Sequence, residues 1–277
     1  TEELKININI DEKAKSITIT DNGIAMTSEE LEENLGTIAK SGTKSFIESL
    51  SEDKSSTMQI GQFGIGFYSA FIVSNNVKVI SRKYDSEEVN LWASDGTGSY
   101  SIEKYSDEHP AGTSIIIEIN EESKEFLEYA NLKNIITKYS DNINFPIFIT
   151  GLDSSPEEQI NSASAIWMKA KKDVTEEQYH QHYNLISHNF DKPLSTIHYK
   201  AEGRYEYNVL LYIPSTRPFD LFDQQRKAKL KLYVKRVLIS EDTEVIPAYF
   251  RFVTGVIDCA DIPLTVSREV LQENHIL

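Results

Sequence analysis

The chain is poor in cysteine and in positive charge, and it has no long apolar run. Cys259 is its single cysteine, which rules out an intramolecular disulfide or a multi-cysteine zinc site and makes a reducing compartment the default. Its 28 Lys and Arg stand against 43 Asp and Glu, a net charge of −15. That is the wrong sign for releasing counterions from a nucleic-acid backbone. No stretch approaches the roughly 18 consecutive apolar residues that span a bilayer, and the first residues do not read as a basic-then-apolar leader. A soluble, cytoplasmic protein without nucleic-acid or membrane partners is therefore expected. What the chain does have is 277 residues at 40% hydrophobic content, enough to bury the cores of about two domains.

Alternation at period two predicts strands at 4–10 and 16–20, joined by the polar turn "DEKAKS" into a hairpin with one buried face. The chain enters that first strand with no lead-in, so a preceding segment is expected. After "DNG" at 21–23, Thr27 offers an N-cap with Glu30 three residues on. This capping-box pattern opens a helix over "SEELEENLG" that Gly36 stops. Residues 37–60, rich in Gly, Ser, Thr and Lys, read as a mobile cover. "FYSAFIVSNN" suits a short apolar helix, and "VKVISRKY", "EEVNLWAS", "SYSIEKY" and "GTSIIIEIN" suit four strands, giving an antiparallel sheet with helices on one face.

Helical spacing at Phe126, Leu127, Leu132, Ile135, Ile136 and Tyr139 follows, and then a strand at "FPIFIT". The Gly-, Ser-, Pro- and acid-rich "GLDSSPEEQINSAS" is the candidate linker, which divides the chain into 1–150, a linker at 151–160, and 161–277. The second part is expected to hold a helix around "EEQYHQHYNLISHNF". Strands are expected at "STIHYKAE", "YEYNVLLYIP", "LKLYVKRVLIS" and "FRFVTGVIDC", and a closing helix at "REVLQENHIL". There is no internal repeat.

"GQFGIGFYSAF" at 61–71 has the spacing G-x-x-G-x-G, not the Rossmann order G-x-G-x-x-G. From Gly61 to Gly66 it matches Walker A spacing, but Phe67 and Tyr68 stand where Lys and Ser or Thr belong. Gly61, Gly64 and Gly66 either leave backbone N–H groups open to phosphate oxygens, ahead of a helix N-terminus, or serve as a hinge or a tight-packing point. Asp21, where a strand runs into Gly23, either projects its carboxylate from the sheet edge into a pocket or simply opens an Asn-Gly turn.

His180, His182, His188 and His198 crowd one region, but H-x-H lacks further ligands at set spacing. A wet helix face is the better reading than a metal site. "RPFDLFDQQRKAKLKLY" puts Phe219, Leu221 and Phe222 in a Pro-initiated polar loop, either packed on their own domain or forming an exposed apolar patch for unfolded proteins.

Taken in order, "DNGIAMT", "NLGTIAKSGTKSF", "GQFGIGFYSAF" and "GTSIIIEI" resemble the nucleotide-binding domain of the ninety-kilodalton heat-shock chaperones. "LLYIPS", "LYVKRVLISED" and "YFRFVTGVIDCADIPLTVSRE" resemble the middle domain of that family, and "IPLTVSREVLQ" with the short linker looks most like its bacterial members. The resemblance covers nearly the whole chain. It implies an α+β fold: a GHKL-like α/β-sandwich ATPase domain, lacking its first segment, and then the first part of an α/β middle domain.

By the same resemblance Asp21 accepts the adenine amino hydrogen bond, Thr113 supports it through water, and Asn34, Lys40 and Phe67 contact nucleotide. Gly61, Gly64 and Gly66 match the phosphate-side loop, and residues 36–66 match the lid that closes over ATP. Arg268 matches the middle-domain arginine that reaches the γ-phosphate, with Gln272 one turn along. A cation in the first turn of a helix opposes the macrodipole, so local stability does not explain Arg268.

The implied function is that of an ATP-dependent chaperone using ATP and Mg²⁺, with unfolded or partly folded clients and, in the intact protein, a homodimer made through a C-terminal domain beyond Leu277. Two departures stand out. Ala25 replaces the second glycine of the family's Asp-x-Gly-x-Gly, and the helix bearing the water-activating Glu and the Mg²⁺-binding Asn is expected upstream of Thr1. Hydrolysis is accordingly expected of the intact protein. The alternatives are another ATPase of the superfamily, gyrase-like or mismatch-repair-like, which net −15 disfavours, and a non-enzymatic interaction module.

Overall fold

The computed structural model describes residues 3–36, 66–150, 158–201, 206–221, 223, 229–241 and 246–259. The chain divides into two compact units, Thr1–Ala163 and Ser164–Leu277.

In the first unit, the hairpin is β1 (Ile6–Asp11) and β2 (Ser16–Asp21). Helix α1 (Ser28–Leu35) begins at the expected capping box. The Thr27 side chain accepts from the Glu30 N–H, the Glu30 carboxylate accepts from the Thr27 N–H, and Gly36 caps the far end. The expected helix after the glycine loop is shorter than its sequence suggests. A 3₁₀ turn (Gly66–Ser69) and α2 (Ala70–Val73) give way at Ser74 to the nine-residue strand β3 (Ser74–Arg82). The "SNN" segment thus extends the strand, because Ser74 and Asn76 already pair with β6 (Gly112–Ile119) across a bulge.

Strands β4 (Val89–Ser94) and β5 (Ser101–Lys104) lie where the alternation put them. A second 3₁₀ segment (Glu121–Leu127) takes Phe126 and Leu127 out of the following helix, α3 (Tyr129–Ser140), and β7 (Ile147–Thr150) ends the expected series.

The eight strands among the described residues of this unit, the last being β8 (Glu158–Gln159), run in the order β5-β4-β3-β6-β2-β1-β7-β8. All pairs are antiparallel except β1 with β7. Strand β8 (Glu158–Gln159) comes from the segment read as linker. Just beyond it the buried Asn161 side chain accepts from the Ile147 N–H at 2.7 Å and donates to the Phe145 carbonyl at 3.0 Å. Residues 158–163 are thus bound into the first unit.

Two apolar clusters cover one face of this sheet. Leu127 and Ile136 of the helical segments pack on Ile8, Ile10, Ile17, Ile119, Ile147 and Ile149. Leu31 of α1 packs on Val79 and Trp92, with Met26, Leu35 and Phe67 against them.

Among its described residues the second unit holds a five-stranded sheet, β12-β11-β13-β10-β9, with helix α4 (Glu176–Ser187). Its strands are β9 (Pro193–Ala201), β10 (Tyr207–Pro214), β11 (Lys229–Val234), β12 (Val237–Ser240) and β13 (Thr254–Cys259). "LKLYVKRVLIS" is therefore a hairpin and not one strand. Lys235 and Arg236 both take positive φ, 51° and 68°, which is the two-residue turn geometry that matches strand twist. The Arg236 N–H donates to Asp258 Oδ1 at 3.3 Å, and Trp167 Nε1–H donates to Asp258 Oδ2 at 2.9 Å.

His182 and His198 serve this interior, whereas His188 is exposed. His198 Nε2 meets the Trp167 carbonyl at 3.2 Å and so carries the proton, leaving Nδ1 to accept from the Tyr179 hydroxyl at 2.6 Å. His182 contacts the buried Tyr212 hydroxyl at 2.9 Å, and burial followed by the charge of Lys231 pushes its pKa down to about 4.

Asp258 is buried, and its carboxyl pKa is raised by that burial. Asp258→Ala would leave the buried Trp167 indole N–H and the part-buried Arg236 N–H without this acceptor, and a loss of about 2–4 kcal/mol is expected. Urea unfolding followed through Trp167 fluorescence measures it, and an unchanged midpoint would contradict the assignment.

Candidate functional site

Residues directly opposite one another in register share a face of the sheet. In the first unit one such row, Ile8–Ile19–Ile115–Val79–Trp92, is apolar. The next row on the same face is Ile6–Asp21–Thr113–Ser81–Asn90. The helix-covered face thus turns polar at one end, with Thr113, Ser81 and Asn90 all buried.

Asp21 closes β2 with its carboxylate folded back over the chain, and Oδ1 accepts the Gly23 N–H at 2.8 Å. A Cβ at residue 23 would stand 2.8 Å from that oxygen, so only glycine lets the carboxylate sit there. Gly112, at φ +137°, passes so close that a Cβ would lie 2.1 Å from the Asp21 carbonyl oxygen. Burial raises the Asp21 pKa above 3.8, outweighing the backbone hydrogen bonds from Gly23 and Thr113 and the charge of His109.

On the opposite face, Thr20 and Ser114 hydroxyls lie 2.8 Å apart, and His109 Nε2 is 2.8 Å from the Ser114 hydroxyl. His109 Nδ1 meets the Pro110 carbonyl at 2.7 Å. Nδ1 therefore carries the proton, and in the neutral imidazole Nε2 accepts from Ser114, which accepts from Thr20.

Residues 22–27 are pinned at several points. Asn22 accepts from the Lys5 N–H at 2.8 Å and donates to the Glu3 carbonyl at 2.9 Å. Ala25 is left-handed, at φ 55°. The Met26 N–H donates to the Ser81 hydroxyl at 2.8 Å, and that hydroxyl donates back to the Met26 carbonyl at 3.1 Å. Glu30 of the capping box also pairs with Lys83 at 2.5 Å, tying α1 to the end of β3.

The structure brings Asp21 and Thr113 together in one row and sets Asn34 on Met26 and Phe67 in the apolar cluster beside it. Asn34 Nδ2 lies 3.9 Å from Met26 Sδ, and Phe67 packs edge-on to Trp92, with ring centroids 5.5 Å apart, in the cluster that holds Met26. Gly66 opens the 3₁₀ turn that carries Phe67. Lys40, Gly61, Gly64, Arg268 and Gln272 lie outside the described residues.

Sequence reading missed Ser81 and Met26. The signal for Ser81 was in "VKVIS": Val77 and Val79 face the core, and the next in-phase residue is a serine.

The description of one matching family model, "Histidine kinase-, DNA gyrase B-, and HSP90-like ATPase", covers residues 2–125. A second, "Hsp90 protein", covers residues 152–277. The chain belongs to the Hsp90 family. It is 49% identical over 263 residues to the chaperone protein HtpG of Rhodopseudomonas palustris (strain BisB5), covering 94% of this chain and 42% of that protein. It is 48% identical to HtpG of Rickettsia canadensis (strain McKiel), covering 99% of this chain and 44% of that one. With HtpG of Francisella tularensis subsp. novicida (strain U112) the identity is again 48%, over 98% and 45%. The chain thus spans less than half the length of the curated relatives it matches. Among the described residues no helix is long and apolar enough to cross a membrane. The Hsp90-like ATPase match spans the polar row from Ile6 through Ser81 to Thr113.

Because the folded state raises the Asp21 pKa, it binds the carboxyl proton more tightly than the unfolded chain does. The first unit therefore loses stability as pH rises from 3.8 through the folded value, and below 3.8 the penalty is absent. Asp21→Asn is expected to be more stable than the parent at neutral pH and to lack this slope. Thermal unfolding across that pH window checks both points, and parallel profiles for the two proteins would contradict the assignment.

Proposed function

We propose that the chain is part of an ATP-dependent molecular chaperone in which ATP binds at the polar row under a lid formed by residues 36–66. The observation that carries this reading is the Asp21 carboxylate. Two backbone donors already orient it, it is only part-buried, and it sits at the end of an otherwise apolar, helix-covered face. Such an acceptor calls for an amino donor. Adenine presents one, whereas guanine presents a carbonyl at the same edge and would leave the carboxylate facing an acceptor. Thr113, next in the row, supports the same group through water, while Asn34, Lys40 and Phe67 line the nucleotide and Gly61, Gly64 and Gly66 border its phosphates.

Arg268 is assigned to the γ-phosphate, where a cation stabilises charge in the transition state. Gln272, four residues further on in the sequence, is assigned with it. Mg²⁺ would neutralise phosphate charge. Its asparagine ligand and the water-activating glutamate belong, on the family resemblance, to residues outside these 277. Closure of the lid then couples slow hydrolysis to the handling of client proteins in the cytoplasm, the intact protein acting as a homodimer. The domain reading that goes with this is a nucleotide-binding domain at 1–150, a short linker at 151–160 and the first part of a middle domain from 161, with residues 158–163 packed onto the first unit.

For clients, the support is an apolar surface in the second unit. Phe219 is fully exposed (101%) and Phe190 nearly so, and both border an open concavity of ≈ 500 Å³ that also includes Pro218 and Phe252. Phe222 lies outside the described residues. An exposed aromatic pair of this kind is a binding surface for unfolded chains.

Titration calorimetry with ATP and Mg²⁺ on the N-terminally extended protein tests the nucleotide site. Asp21→Asn is expected to weaken binding about 100-fold. Absence of binding heat in the parent, or equal affinity in the variant, would remove the assignment. Phe219→Ser is expected to lower suppression of aggregation of a thermally unfolded client while leaving ATP affinity unchanged. Undiminished suppression would exclude Phe219 from the client surface.

A further inference from the structure

We propose that Ser81 is a positioning residue for the nucleotide pocket, acting through the backbone of Met26 to hold Ala25 in its left-handed conformation. The inference rests on the nucleotide-site reading above. Ser81 is completely buried. Its hydroxyl has one proton to give, which goes to the Met26 carbonyl at 3.1 Å, and it accepts the Met26 N–H at 2.8 Å. One side chain on β3 therefore satisfies both backbone groups of a residue 55 positions away in the chain.

The residue it grips follows Ala25, at φ 55°. A side chain disfavours this region, and glycine occupies it freely. Two anchors bracket the unfavourable residue. Upstream, the Gly23 N–H is held by the Asp21 carboxylate at 2.8 Å. Downstream stands the Ser81 clamp on Met26. The Ala25 methyl is buried, so the conformation cannot be relieved simply by turning the side chain to solvent.

The consequence for a ligand follows from where Met26 points. Its side chain packs against the cluster of Leu31, Val79 and Trp92 that also receives Phe67, and its sulfur lies 3.9 Å from Asn34 Nδ2. Ser81 thus fixes the loop that starts at Asp21, together with the side chain on which Asn34 rests, beside the cluster that holds Phe67. When the clamp is removed, Ala25 can relax to negative φ, Met26 leaves its place, and the pocket loses its preformed shape. Losing a preformed site weakens binding without altering a chemical step carried by other groups.

The test uses the full-length protein, with ATP affinity measured by calorimetry and turnover at saturating ATP. Ser81→Ala is expected to bind ATP about tenfold more weakly, with KM raised and kcat unchanged. Ser81→Thr keeps both hydrogen bonds and is expected to restore affinity to within about twofold. Ala25→Gly removes the conformational penalty, so in the Ser81→Ala background it is expected to recover at least about threefold of the lost affinity, a coupling read from the double-mutant cycle. Urea midpoints verify that each variant is folded.

If Ser81→Ala binds as tightly as the parent while Asp21→Asn does not bind, the clamp proposal fails and the nucleotide site stands. If Ser81→Ala loses affinity but neither Ser81→Thr nor Ala25→Gly recovers any of it, the clamp proposal likewise fails. If the parent itself does not bind ATP, both readings fall together.

Discussion

The register between β2, β6 and β3 is the constraint on which the candidate site depends. Side chains alternate faces at period two, so a slip of one residue in any of these pairs would send Asp21, Thr113 or Ser81 to the opposite face. The apolar row just below them holds the register, because Ile19, Ile115 and Val79 reach the helix-covered side only in this alignment. The core that stabilises the sheet is therefore also what aligns the polar groups above it.

From that shelf the chain has to turn from the end of β2 into α1 within a few residues, and each step has its own physical solution. Gly23 leaves room for the Asp21 carboxylate, Gly112 lets β6 pass close to the Asp21 carbonyl, and the capping box starts the helix. Glu30 links the helix start to Lys83 at the end of β3. Strand, loop and helix are thereby fastened to one another by groups that each serve at least two of them.

Much of this could be read from sequence where one local signal was sufficient. The hairpin, the capping box and the strands of the first sheet follow from periodicity and from Thr27 and Glu30. Signals failed where tertiary pairing overrode them. Ser74 and Asn76 extend a strand because β6 is there to receive them, and "LKLYVKRVLIS" folds as a hairpin because Lys235 and Arg236 accept positive φ without a glycine to announce it. Glu158 and Gln159 sit in a composition that reads as linker, yet they add a strand to the sheet, with Asn161 satisfying backbone groups of its neighbours. For the site, Asp21 and Thr113 stood out by resemblance to family motifs. The Ser81 contact joins residues 55 apart and had no motif to mark it.

The ends of the eight-stranded sheet bear on a different property. Its two outer strands, β5 and β8, are four and two residues long, and they carry Glu103, Lys104 and Glu158. Short, charged margins give an incoming strand few backbone groups to pair with and make such pairing electrostatically costly. In this unit, protection against edge-to-edge association between sheets therefore lies in the shortness and charge of two described strands.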